Sequence, residues 1–107
     1  MKYHAHIYWT DDTERAVAVS MRPFLESMGC EMGRIWDEPI GPHPVAMYQI
    51  KYDDANKERV VSFIKNNHKG ISVLLHNDTG NDLKDHTQDV EWLGEAIDLD
   101  LTAFEED

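Results

Sequence analysis

The sequence predicts an α+β domain of ferredoxin-like build: a βαββαβ antiparallel sheet with a short extra helix near the C-terminus. Three observations predict it. Residues 2–9 alternate with a period of two, which is the pattern of a strand with two different faces. Two stretches with helical spacing, around residues 13–28 and 55–69, separate strand-like runs in the order of the split βαβ arrangement. No repeat, linker or low-complexity tract interrupts the 107 residues, so residues 1–107 form one domain.

In the first strand Tyr3, Ala5, Ile7 and Trp9 share one face, and His4, His6 and Tyr8 share the other. Thr10-Asp11-Asp12-Thr13 offers capping oxygens for a helix that runs to about residue 28. Its apolar stripe is Val17, Met21, Phe24, Leu25 and Met28, and Pro23 predicts a break near residue 22 because its nitrogen cannot donate. Gly29 ends the helix. Residues 31–36 read as a weaker strand, and residues 38–44 as a loop stiffened by Pro39, Pro42 and Pro44. Val45 to Tyr52 is the third strand. Asp53 or Asp54 caps a helix to about Lys69, with Val60, Phe63 and Ile64 inward and Gly70 as its stop. Ile71 to His76 is an apolar fourth strand, Asn77 to Asp85 a polar loop, and Val90, Leu93 and Ile97 mark a short helix before an acidic tail.

The helices should cover one sheet face, so a partner copy, the C-terminal segment or a ligand must cover the other. A small chain with such a face is expected to be a homodimer. Charge excludes other partners. Lys and Arg number 10 against 21 Asp and Glu, a formal net charge of −11, which repels phosphate backbones and anionic membranes. No apolar run of signal-peptide or membrane-span length is present, so a cytoplasmic protein is expected. A single cysteine, Cys30, excludes an internal disulfide and a cysteine-based zinc site.

The six histidines are the informative residues: His4, His6, His43, His68, His76 and His86. His68 lies at a helix C-terminus, where the dipole favours a cation, and reads as structural. For the others the expected strand order is 4-1-3-2, with strand 1 parallel to strand 3 and antiparallel to strand 4. On that arrangement His4, His6, His43 and His76 meet at one end of the sheet, on the face without helices. Two histidines two apart on a strand, with a third from a neighbouring strand, is a workable metal-ligand spacing, and imidazole suits Fe, Zn, Cu and Ni. A wet sheet face with solvated histidines is the competing interpretation. In Gly41-Pro42-His43-Pro44 two prolines hold a histidine in a preset loop, as acid/base chemistry needs, or simply build a turn. Asp85 can orient His86, complete a two-histidine-one-carboxylate set, or belong to an acidic loop before a helix capped by Thr87. Trp9, Trp36 and Trp92 read as core or interface.

The chain resembles the DOPA 4,5-dioxygenase family. The resemblance is carried by Tyr3-His4-Ala5-His6, Gly41-Pro42-His43-Pro44, Ser72-Val73-Leu74-Leu75-His76 with Thr79-Gly80, Asp85-His86, Trp92-Leu93-Gly94 and Leu99-Asp100-Leu101. These segments span nearly the whole chain in the family's order; Asn77 departs from it, standing where proline is expected in many relatives. The resemblance implies a ferredoxin-like fold and extradiol opening of a catechol ring, DOPA or a caffeate-like compound, by O2 at a non-haem metal. Fe(II) is the expected metal, with Zn or Ni as substitutes. His4, His6 and His76 are then the expected ligands, with His43, His86 and Asp85 as acid/base or substrate-binding groups. Two other classes stay open: a metal-free acid/base isomerase or monooxygenase of dimeric ferredoxin-like build, and a non-catalytic metal- or ligand-binding dimer.

Overall fold

The computed structural model describes residues 1–104, so the last acidic residues of the expected tail, 105–107, lie outside the described residues. Strand β1 (Lys2–Trp9) is followed by helices α1 (Asp12–Ser20) and α2 (Arg22–Ser27), strands β2 (Glu31–Met32) and β3 (Ala46–Asp53), and helix α3 (Lys57–Asn67). Strand β4 (Val73–Asn77), helix α4 (Asp82–Thr87), strand β5 (Glu91–Leu93) and a 3-10 turn (Leu101–Phe104) complete the chain. The sheet order is β2-β3-β1-β4-β5, antiparallel throughout, which bears out the α+β expectation.

The alternation of β1 is what the sheet is built on. Tyr3, Ala5, Ile7 and Trp9 all enter the core under the helices, with Met21, Leu25, Tyr48, Ile50, Val60, Ile64 and Val73. Each large side chain buried there contributes about 1.5–3 kcal/mol. The Asp11 carboxylate accepts from the Glu14 amide at 2.8 Å, while Glu14 accepts from the Thr10 amide and hydroxyl, so the start of α1 is capped from both directions. The helical run breaks at Met21, with Pro23 in the first turn of α2, as expected. Tyr48 Oη donates to the Ala18 carbonyl at 2.6 Å beside that break. Phe24, expected inside, is 57% exposed and stacks on Phe63 at 5.5 Å, because the break rotates it outward.

Several expectations are corrected. β1 runs antiparallel to β3, with Trp9 opposite Ala46, so the start of β3 lies at the end of β1 and not beside His4. Of residues 31–36 only Glu31 and Met32 form a strand. The Gly33 backbone lies so close to Gln49 that a Cβ would sit 2.7 Å from its carbonyl oxygen, and the chain rejoins the sheet only at the Trp36–Met47 bridge. Asn56, not Asp53 or Asp54, is the N-cap of α3; Asp53 instead accepts from the Ala55 amide and closes a turn. Within residues 77–85 a helix begins, capped by Asn81 Oδ1 on the Lys84 amide, and Thr87 ends that helix instead of opening one. Residues 90–97 are not helical: Glu91–Leu93 pair with β4 as an edge strand, since the Gly94 turn against residues 70–71 fixes an extended approach.

The face opposite the helices is covered by this chain itself. Tyr8, Met47 and Leu74 form a second apolar cluster under Trp36, Ile40, Val45, Val90, Trp92, Ile97 and Leu99. The Asp100 amide donates to the Pro42 carbonyl at 2.8 Å and ties the C-terminal segment to the proline loop. That face therefore needs no partner copy to cover it. No helix among the described residues is long and apolar enough to cross a membrane.

Gly94→Ala is expected to destabilise the fold by about 2–4 kcal/mol. At Gly94 φ is +69°, and a Cβ would lie 2.7 Å from the Ile71 carbonyl oxygen. Gly80→Ala, with φ of +90° but open space, should cost only about 1 kcal/mol. Urea unfolding of both variants checks this, and equal losses would refute the steric account.

Candidate active site

Five histidines from four segments meet on the loop-covered face. β1 contributes His4 and His6, two apart and therefore on one side of the strand. β4 contributes His76, directly opposite His4 in the register. The loop before β3 contributes His43, and α4 contributes His86. His6 is central. Its ring centroid lies 4.3 Å from His43, 4.9 Å from His76 and 5.4 Å from His86. His4 stands 5.1 Å from His76, and His86 4.3 Å from His76. His68 is elsewhere: it caps the C-terminus of α3, and its Nδ1 donates to the Ile71 carbonyl.

The convergence stands, but by a different route from the expected one. His43 enters at the far end of β1, and the Gly41-Pro42-His43-Pro44 loop folds back over the sheet to bring it to His6. The His43 amide donates to the Ile40 carbonyl at 2.8 Å, holding that fold-back. Tyr8, on the histidine face of β1, contacts His43 Nδ1 through its hydroxyl at 2.8 Å. Tyr8 also stacks on Trp92 at 5.8 Å, so both aromatic residues wall the site. Sequence reasoning missed this part of the site. The signal for Tyr8 was present, since the alternation that pairs His4 with His6 continues to residue 8.

Burial sets the electrostatics. His6, His43 and His76 are only 2–5% exposed. Desolvation, reinforced by neighbouring histidines, holds His6 well below the ordinary imidazole pKa and brings His43 to about 4. His76 also falls to about 4, mainly by desolvation. His4 is lowered by desolvation against the opposing charge of Asp78, whose carboxylate lies 3.2 Å from its Nε2. At neutral pH these rings are uncharged, and each carries one nitrogen lone pair. Carbonyl oxygens only accept, so His76 Nδ1 donates to the Asn77 carbonyl and His86 Nδ1 to the Asp82 carbonyl, each at 2.7 Å. The neutral His76 ring therefore keeps its lone pair on Nε2, the usual arrangement of a metal-ligating histidine and its supporting carbonyl.

Asp85 is 3% exposed, and its two oxygens accept from the Thr79 amide at 2.8 Å and the Thr79 hydroxyl at 2.6 Å. Burial pushes its carboxyl up, but the Thr79 hydrogen bonds outweigh this and keep it below the ordinary value. It acts on the histidines through its charge and through the loop it ties to α4.

The donor set fits a metal ion. His6 Nε2 and His76 Nε2 lie 2.8 Å apart. Metal–nitrogen bonds of about 2.0–2.1 Å place two adjacent ligands roughly 3 Å from one another. His6 Nδ1 is buried with no hydrogen-bond partner among the described residues. Two overlapping triples have ligand atoms within 4.8 Å of one another: His4, His6 and His76, and His6, His43 and His86.

Comparison with known proteins places this geometry in context. The sequence profile of the Dopa 4,5-dioxygenase family matches residues 3–103. The DOPA 4,5-dioxygenase of Amanita muscaria is 28% identical over an alignment of 109 residues, covering 94% of this chain and 48% of that protein. An uncharacterized 21.2 kDa protein of Botryotinia fuckeliana is 35% identical over 77 residues, 64% of this chain and 42% of its own length. The chain thus spans about half the length of the curated relatives it matches. A crystal structure from Nostoc punctiforme, of a protein classed as a candidate dioxygenase, superposes with a TM-score of 0.88 at 36% identity. That match covers 94% of this chain and 88% of the other.

The buried rings make the metal-free fold acid-sensitive. Their folded pKa values lie below the unfolded value of about 6.5, so the unfolded chain binds more protons as pH drops. Stability should be flat above about pH 6.5 and fall toward pH 4, where His43 and His76 protonate in the fold. Each ring withdraws on the order of 3 kcal/mol across that window. Urea midpoints of chelator-treated protein against pH check this, and His76→Gln should flatten the slope.

Proposed function

The chain belongs to the Dopa 4,5-dioxygenase family, and from that membership we propose that it is a metal-dependent extradiol dioxygenase that opens the ring of a catechol such as DOPA. One observation supports this reading above the others: five histidines from four segments share one covered face, three of them 2–5% exposed and held neutral by burial. Solvated histidines on a wet sheet face would not be desolvated in this way.

His4, His6 and His76 are the proposed ligands, because the two strands that carry them are paired residue for residue. When bound, Fe(II) would supply the redox-active Lewis acid that ring opening by O2 requires. His86, on the helix that closes the site, is placed to take and return the proton of a catechol hydroxyl, and His43, on the loop, to hydrogen-bond a substrate oxygen. Trp92, half-buried and stacked on Tyr8, offers aromatic surface beside them for a planar ring. The proline loop and the segment ending at Asp100 shield the rings from water, which strengthens every polar contact inside.

Anaerobic reconstitution with Fe(II), followed by oxygen uptake over a panel of catechols, tests the proposal. The expected outcome is one O2 consumed per catechol and a yellow ring-opened semialdehyde. His6→Ala should lower bound metal and turnover by roughly tenfold or more, since His6 belongs to both triples, and His68→Ala should change neither. Metal loss in His4→Ala but not in His86→Ala assigns the strand-borne triple; the reverse assigns the other. Turnover that survives metal removal would establish a metal-free acid/base enzyme. No oxygen uptake with any catechol from loaded, oxygen-protected protein would favour the non-catalytic metal- or ligand-binding dimer.

A further inference from the structure

We propose that Tyr8 is a positioning residue that presets His43 as a hydrogen-bond donor, with its proton on Nε2, and so keeps His43 out of the metal-ligand set. Tyr8 is 1% exposed, and its hydroxyl lies 2.8 Å from His43 Nδ1. Either group could in principle donate. Among the described residues the hydroxyl has no other hydrogen-bond partner, and this decides the direction. If His43 Nδ1 carried the proton and donated, the phenolic hydrogen would be buried without an acceptor, which costs about 1–3 kcal/mol. If Tyr8 donates, its one proton is used and only a weak acceptor oxygen is left over. Nδ1 of His43 then carries the lone pair, and a neutral imidazole must hold its proton on the other nitrogen.

This is the opposite tautomer to neutral His76, whose Nδ1 donates to the Asn77 carbonyl. The chain therefore sorts its histidines by the partner given to Nδ1. A carbonyl partner leaves an Nε2 lone pair, suited to a metal or a proton. A phenol partner leaves an Nε2–H, suited to a substrate oxygen. His43 cannot ligate through Nε2 in that state, which favours His4, His6 and His76 among the two geometric triples. The His43 ring lies 4.3 Å from His6 and 5.8 Å from His86, centroid to centroid, so its N–H serves the space beside the metal set.

The kinetic part of this inference rests on the proposed dioxygenase activity; the proton position does not. The test uses the full chain with 15N-labelled histidine, as purified and loaded with diamagnetic Zn(II). Two-bond 15N–1H correlation spectra report which ring nitrogen holds the proton. His43 is expected as the Nε2–H form in both states, unchanged by Zn(II), while resonances of the ligand histidines shift. Tyr8→Phe keeps the ring that stacks on Trp92 and removes only the hydroxyl. In it His43 should move toward the Nδ1–H form, with bound metal unchanged, kcat lowered roughly tenfold or more and KM nearly constant. An Nδ1–H His43 in the wild-type protein, or a His43 resonance that shifts on Zn(II) loading, overturns the inference without any need for the variant. A Tyr8→Phe protein with unaltered His43 tautomer and kcat overturns it as well. Absence of turnover in the wild-type protein, with the tautomer as expected, would instead refute the proposed activity.

Discussion

Everything else in the molecule depends on β1 being hydrogen-bonded along both edges and alternating strictly between two chemistries. Pairing with β3 on one side and β4 on the other satisfies its backbone groups and leaves the side chains to decide what each face packs against. Tyr3, Ala5, Ile7 and Trp9 take the helices. His4, His6 and Tyr8 are then forced to the opposite face at fixed spacing. A slip of one residue in register would exchange the two sets and bury imidazole among Leu25, Ile50 and Val60. The apolar face thus locks the functional one in place.

Covering that second face turns a row of polar side chains into a site. Four segments arrive over it: the proline loop, α4, β5 and the segment to Asp100. They bring Trp36, Ile40, Val90 and Leu99 around Tyr8 and Leu74. The imidazoles lose water, and their protonated forms become unfavourable. Burial of so many polar rings costs stability unless partners are found. The chain meets this with one dedicated partner for each of three rings: the Asn77 carbonyl, the Asp82 carbonyl and the Tyr8 hydroxyl. Those partners do more than offset burial, because each decides which nitrogen of its ring faces the centre. Stability given up for a desolvated polar cluster is what a functional site costs a fold.

The charge distribution suits a cation. The net charge of −11 gives the surface a field that attracts divalent metal, and Asp78 and Asp85 place two carboxylates near the histidines. The proposed ligating atoms themselves stay neutral. Long-range attraction and the proposed ligation thereby fall to different residues.

The sequence by itself determined the fold class, the break near Pro23, both faces of β1, the neighbourhood of His4, His6 and His76, and the family. These rest on local rules: period-two alternation, a proline that cannot donate, and motifs of adjacent residues. Only the tertiary structure decided how His43 joins the others. Its loop has no periodicity, and its path depends on the contact of Asp100 with Pro42, far apart in the chain, as well as on the local turn from Ile40 to His43. The same holds for residues 90–97, whose apolar spacing suits a helix but whose backbone finds an open edge on β4. Edge pairing is a long-range choice that no local propensity encodes. Asp85 looked like chemistry from its neighbour His86, yet its oxygens accept from Thr79. The role of Tyr8 needed a distance, because a hydroxyl reveals its direction of donation only once every possible acceptor around it is known.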